Sequence, residues 1–416
     1  MTAVAVTGLG IAAPNGLGTA DYWAATRGGK SGIGRITRFD PSGYPARLAG
    51  EIPGFVDADH LPSRLLPQTD RVTRLALTAA DWALADAGVD TGAFDPLDMG
   101  VITASHAGGF EFGQYELQSL WSKGSQYVSA YQSFAWFYAV NSGQISIRHG
   151  MKGPSGVVVT DQAGGLDALA QARRQIRKGT PLVVSGAVDA SLCPWGWVAQ
   201  LAAGRMSERD EPTRAYVPFD RDATGYVPGE GGAILILEDA AAARARGARS
   251  YGEIAGYGAT LEPRPGAGPG AGPGHAHQRA LRRSIEIALA DAGLDTGDVD
   301  VVFADGAGVP EEDAVEAETL CEVFGPRAVP VTVPKSMTGR LYSGAAPLDV
   351  AAALLAMRDG VIPPTVHVDP CPEYDLDLVL HQARPVAVLR HALVLARGHG
   401  GFNAATVLRA HPTTTG

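Results

Sequence analysis

Residues 83–92 read ALADAGVDTG and residues 288–297 read ALADAGLDTG, a difference of one position in ten. In both places a β-like run follows closely, MGVITA at 99–104 and VDVVFA at 299–304. A second echo runs in the same order. Leu166-Asp167 opens a helical stretch ending at Lys178-Gly179, and Leu348-Asp349 opens one ending at Asp359-Gly360. Two echoes in register point to a duplicated α/β half. The join falls near 240–255, giving halves 1–245 and 246–416. Strands that alternate with helices predict a mainly parallel sheet covered by helices. Expected strands are Ala3–Thr7, Met99–Ala104, Val157–Thr160, Leu182–Ser185, Ala233–Leu237, Tyr251–Tyr257 and Leu393–Ala396. Thr69–Ala87 keeps a helical period that Gly88 can stop. Residues 263–275 (PRPGAGPGAGPGH) are too rich in glycine and proline for a regular element and read as a mobile surface loop.

Composition narrows the function. The chain of 416 residues carries 34 Lys+Arg against 44 Asp+Glu, a net charge of −10, which disfavours a nucleic-acid binder. Its three cysteines, Cys193, Cys321 and Cys371, are far apart and have no Cys-x-x-Cys spacing. That argues against a disulfide framework and a cysteine-based zinc site, so no metal is expected. The N-terminus has no signal-peptide pattern, and no apolar run approaches the ~18 residues of a membrane span. A reducing cytoplasm is the default expectation.

Several segments sit where α/β sheets build sites. Gly8-x-Gly10-x-x-Ala13 superficially matches a dinucleotide fingerprint, but no second strand ending in an acidic residue follows. It reads as a structural turn. Residues 157–167 (VVVTDQAGGLD) form a strand–turn–helix elbow, whose apex faces the positive end of a helix. Such an apex suits a thiol nucleophile. Here it is Gln162, a carboxamide that can only hydrogen-bond. Residues 216–232 are dense in Gly, Asp and Arg and fit a buried polar network or a site equally well. Further loops after β-like runs contain Asp305, Lys335 to Arg340, and Gly398 to Asn403.

Together these segments resemble the β-ketoacyl synthase family. VTGLGIAAPNG at 6–16, PFDRDATGYVPGEGG at 218–232 and GHGGFN at 398–403 are similar to its opening, middle and closing motifs. The resemblance implies the thiolase-like fold, a duplicated five-layered αβαβα unit. It also exposes departures. The elbow cysteine of working synthases is Gln162. The first catalytic histidine, before Gly-Thr-Gly-Thr, is Asp305 ahead of Gly306-Ala307-Gly308-Val309. The second histidine, after Lys-Ser-Met-x-Gly, is Arg340. Lys335, Asp313 and Glu316 match retained positions. A scaffold kept without nucleophile or histidines resembles the chain length factor, or ketosynthase-β, branch of type II aromatic polyketide synthases. VTDQAGGLDALAQARR at 159–174 and SAYQSFAWFYAVNSGQISIRHG at 129–150 add to that likeness.

The resemblance implies a heterodimer with a catalytic ketosynthase, service by an acyl carrier protein, and a polyketide chain in a tunnel at the interface. No cofactor is expected. Matching the gating segment gives Phe110, Gly113 and Leu117 on one helix face, with Phe134 nearby. Asp305 and Arg340 are expected to pair and fill the old site. The aromatic run 127–138 is expected at the interface. Arg173, Arg174, Arg177 and Lys178 form a basic helix face, solvated or turned to a carrier protein. Two other readings remain: a malonyl-carrier decarboxylase using Gln162, and a homodimeric structural relative outside polyketide chemistry.

Overall fold

The computed structural model describes residues 2–262 and 273–411. The strands that organise it are β1 (Val4–Ala13), β2 (Met99–Ala104), β3 (Ser155–Val158), β4 (Leu182–Asp189), β5 (Gly231–Asp239), β6 (Gly252–Leu261), β7 (Val301–Phe303), β8 (Pro330–Thr332), β9 (Asp377–Leu378), β10 (His391–Gly398) and β11 (Phe402–Arg409). The main helices are α1 (Arg71–Asp86), α2 (Phe110–Lys123), α3 (Gly164–Arg177), α4 (Pro194–Leu201), α5 (Pro273–Ala292), α6 (Pro310–Phe324) and α7 (Ala345–Asp359). Of the glycine-rich stretch, 263–272 lie outside the described residues, and 273–275 begin α5 instead of continuing a loop.

Strand order is β9-β8-β7-β10-β11-β6-β1-β5-β4-β2-β3. The two halves repeat the same pairing. β1–β5 and β5–β4 are antiparallel, β4–β2 and β2–β3 parallel; β6–β11 and β11–β10 are antiparallel, β10–β7 and β7–β8 parallel. The halves meet where Ala5 and Val6 pair with Glu253 and Gly252. The sheet is therefore mixed and not mainly parallel as expected. In the second half the reason is local: β10 and β11 are joined by a tight turn in which Gly400 and Gly401 have φ of 93° and 91°, so the chain reverses without a helical crossover. Helices α3 and α7 pack on each other and on strands of both halves of the sheet, while α1 packs on β1 and β5 and α5 on β6 and β11. Helix α7 has 13 of its 15 residues buried, as a central layer demands.

The repeated decapeptide performs the same work twice. Gly8 and Gly10 do not form the expected turn; they lie inside β1, where a Cβ would stand 2.1 Å from the Ala83 carbonyl oxygen and 1.8 Å from that of Ala79. In β6, a Cβ on Gly256 or Gly258 would stand 2.1 and 2.2 Å from the carbonyl oxygens of Ala288 and Ser284 on α5. Strand and helix can approach this closely only without side chains between them. Asp86 accepts the Leu9 N–H at 2.9 Å, and Asp291 accepts the Tyr257 N–H at 3.0 Å. Gly88 and Gly293 then end the helices at φ of 60° and 67°.

Candidate functional site

The elbow forms as β3 ends and the chain turns into α3. Asp161 takes φ of 52°, a left-handed conformation that a non-glycine residue adopts at a cost. Gln162 follows it, buried, and among the described residues its Oε1 has no hydrogen-bond partner. A second elbow faces the first. Tyr342 takes φ of 53°, the short turn Tyr342–Gly344 leads into α7, and the Ser343 hydroxyl donates to the Asp161 carbonyl at 2.8 Å. Gln162 and Ser343 thus hold equivalent places in the two halves, and neither place carries a thiol. Cys193 is buried at the start of α4, where burial pushes its thiol up to about 11.

Asp305 and Arg340 form the expected pair. The Arg340 guanidinium donates from Nη1 at 3.0 Å to Asp305 Oδ2 and from Nη2 at 3.1 and 3.0 Å to both carboxylate oxygens. Both side chains are almost fully buried. The guanidinium also donates to the Asp305 and Arg397 carbonyls at 3.2 Å, and the Arg397 N–H donates to Asp305 Oδ1 at 3.0 Å. Burial disfavours the charged guanidinium, but the Asp305 charge outweighs it and holds Arg340 protonated.

The acidic residues that the motifs retain shape this loop. Glu316 accepts the Asp305 and Gly306 N–H groups at 2.7 and 2.9 Å. Asp313 accepts those of Phe219 and Gly308 at 2.8 and 3.0 Å, and burial pushes its carboxyl up to about 8 against these two donors. Lys335 donates to the Ala304 carbonyl at 3.0 Å and pairs with Asp349 at the start of α7. Burial raises Asp349 to about 6 although Lys335 opposes it.

Sequence reasoning missed His106. Its Nδ1 lies 2.7 Å from Asp161 Oδ1, and its ring stacks on Tyr342 with centroids 4.6 Å apart. Burial lowers the imidazole pKa, but the hydrogen bond and charge of Asp161, with Asp189 behind, turn the balance upward. Asp161 is correspondingly held low, burial notwithstanding, by His106 and by the His399 N–H at 2.6 Å. The signal was position: His106 follows β2, whose C-terminal end adjoins that of β3, the edge where open α/β sheets gather functional groups. His106, Phe110, Gln162, Tyr226, Arg340 and Tyr342 line one cavity of about 350 Å³.

Helix α2 runs from that cavity. Phe110 stacks on Trp195 at 4.5 Å, and Trp195 lines a second, open recess of about 580 Å³ with Leu117 and Trp121. Gly113 is buried between them; a Cβ there would meet Trp136 Cδ1 at 2.7 Å and Trp195 Cζ3 at 3.0 Å. Phe134 does not join this wall. It is 36% exposed, lies edge-on to Tyr131 and lines neither space, and Trp136 takes the place beside Gly113. The basic helix face is corrected at one position: Arg173 is buried, pairing with Asp291 at 2.5 Å where the halves interlock, while Arg174, lying over the Tyr257 ring, and Lys178 are exposed and Arg177 partly so. Among the described residues, no helix is long and apolar enough to cross a membrane.

The beta-ketoacyl synthase N-terminal domain matches residues 1–243, and the C-terminal domain of the same family matches residues 251–369. The chain is 60% identical to the tetracenomycin polyketide synthase ketoacyl synthase beta subunit of Streptomyces glaucescens, over 98% of both chains. Its fold is similar to the ishigamide ketosynthase/chain length factor, with a TM-score of 0.89, 28% identity, and coverage of 99% of this chain and 100% of that one. It is also similar to a type II polyketide synthase acyl-carrier protein complex with its ketosynthase bound to the hexaketide, at a TM-score of 0.88, 27% identity, and coverage of 99% and 100%.

Proposed function

The chain belongs to the beta-ketoacyl synthase family, in its type II polyketide ketosynthase-beta branch, and from that premise we propose that it measures a polyketide chain without condensing it. The observation that carries this reading is the buried Asp305–Arg340 pair beside Gln162. Condensation needs a thiolate to hold the acyl chain and donors for the developing enolate. Gln162 cannot hold the chain. Asp305 has the wrong sign for an enolate, and Arg340, protonated and bound on both terminal nitrogens, cannot act as a base.

The thiolate then comes from a second chain, a cysteine-bearing ketosynthase, to which an acyl carrier protein brings extender units. Edge strand β3 offers its outer backbone groups for pairing, and Tyr127, Tyr131, Trp136, Phe137 and Tyr138 stand exposed. The growing poly-β-ketone would enter this side of the interface and reach the wall formed by Phe110, Gly113 and Leu117. A wall limits length because each further extension must displace packed side chains. Co-expression with a cysteine-bearing ketosynthase tests the reading. The two chains should co-purify, and Gly113→Phe, which drives a ring into Trp136 and Trp195, should shorten the products seen by mass spectrometry. Unchanged product lengths would remove the gate.

One observation favours a second reading. His106 shares the cavity with Gln162, and Asp161 favours its protonated form, in which both ring nitrogens donate. Loss of CO₂ from a malonyl thioester leaves electrons on the thioester carbonyl, which these two groups could receive as hydrogen bonds. Malonyl-carrier turnover by the purified chain alone, lost in Gln162→Ala, would establish that activity and displace the non-catalytic reading. The homodimeric relative outside polyketide chemistry is set aside by the 60% identity to a polyketide synthase subunit.

A further inference from the structure

Helix α2 lacks an N-terminal cap of its own. The residue before it, Gly109, has no side chain to accept the free N–H groups of the first turn. Asp70 supplies the missing acceptor from another element. Its Oδ1 accepts the Val72 N–H at 2.8 Å, capping α1, while its Oδ2 accepts the Phe112 N–H at 2.7 Å, in the first turn of α2. One buried carboxylate therefore caps two helices. Gly109 makes the approach possible, since a Cβ there would stand 2.9 Å from Asp70 Cβ. Beside it, Arg38 Nη2 donates to both Glu111 carboxylate oxygens at 2.8 Å, a second tie on the same turn.

We propose that Asp70 is a positioning residue for chain length: by fixing the first turn of α2 it fixes how deep Phe110 and Gly113 stand in the tunnel. This rests on the gating reading of α2. A hydrogen bond to a carboxylate in a buried place is among the stronger tethers available to a helix end. Without it the turn can fray, and the wall it carries no longer stands at one depth.

The two roles of Asp70 separate by substitution. Serine and asparagine are good N-caps and keep the α1 contact, but neither can accept at both positions. The experiment co-expresses the catalytic ketosynthase with wild type, Asp70→Ser, Asp70→Asn and Gly113→Phe, and reads product lengths by mass, normalised to total polyketide. Both Asp70 variants should assemble with the partner and spread the products. The ratio of off-length to main product should rise about fivefold, equivalent to about 1 kcal/mol for one hydrogen bond. If Gly113→Phe shortens the products and the Asp70 variants match wild type, this proposal fails alone. If none of the variants shifts them, the gate itself fails and takes the proposal with it. Loss of assembly in both Asp70 variants would assign the residue to the fold and overturn it equally.

Discussion

A charged pair buried as deeply as Asp305 and Arg340 is costly to create and costlier to break, because removing one partner leaves the other charge without water or counter-ion. Asp305→Ala should therefore cost about 3–5 kcal/mol in denaturant unfolding. The double change Asp305→Leu with Arg340→Met should recover most of that, since both charges go together. It should not recover all, because the Arg397 N–H loses its acceptor on Asp305. Equal losses in the single and double variants would show that the pair is no coupled unit. At this scale the sequence was informative where a residue type contradicted its motif. Gln162, Asp305 and Arg340 stood out because the family expects cysteine and histidine there. His106 was silent because it contradicts nothing: its meaning comes from Asp161 and Tyr342, 55 and 236 residues away in a chain whose sequence spacing does not reveal that contact. Phe134 and Trp136 are both exposed, at 36% and 43%, and nearness in sequence to the gate helix did not decide which of the two rings would stand against Gly113.

Among the elements, the repeated decapeptide made the duplication visible, yet its purpose emerges only from the strands opposite it. Gly8 and Gly10 looked like a turn because glycine in short spacing usually marks one. In β1 and β6 they serve contact with a helix, and the sheet that results is mixed. Helix ends at Gly88 and Gly293 were legible because they depend on local backbone alone; strand direction was not, because it depends on the whole connection. This yields a paired expectation. Gly10→Ala and Gly258→Ala should each cost more than about 3 kcal/mol, because the new Cβ meets backbone that cannot swing aside. Gly43→Ala, with nothing among the described residues within 4 Å of its added Cβ, should be near neutral. Urea midpoints of the three variants decide the matter; a tolerated Gly258→Ala would mean that the second strand–helix contact does not mirror the first.

For the molecule as a whole, burial of acidic groups sets how stability responds to pH. Burial is the leading cause that raises Asp313 to about 8, Asp70 to about 7, and Asp189 and Asp349 to about 6. In the unfolded chain such carboxyls ionise near 3.9. Between that value and their folded values the native state holds more protons than the unfolded state, so stability falls as pH rises through this window. His106, also raised, adds in the same direction, losing its contribution as pH climbs through its folded pKa. Asp81 and Asp161 oppose the trend. Held low in the fold despite burial, chiefly by His149 and by His106 respectively, they add stability above their unfolded values and lose it only in acid. Their opposition is complete by about pH 5. Above it the raised carboxyls and His106 outweigh the lowered imidazole of His367, so the thermal midpoint should be highest near pH 5.5 and decline to pH 8.5. Asp313→Asn should flatten the upper part of that decline, because a carboxyl raised to about 8 no longer titrates. Calorimetric scans of both proteins at pH 5.5, 7.0 and 8.5 measure this directly. A midpoint that rises over the range would mean that these carboxylates are ionised in the fold, with their backbone N–H donors outweighing burial.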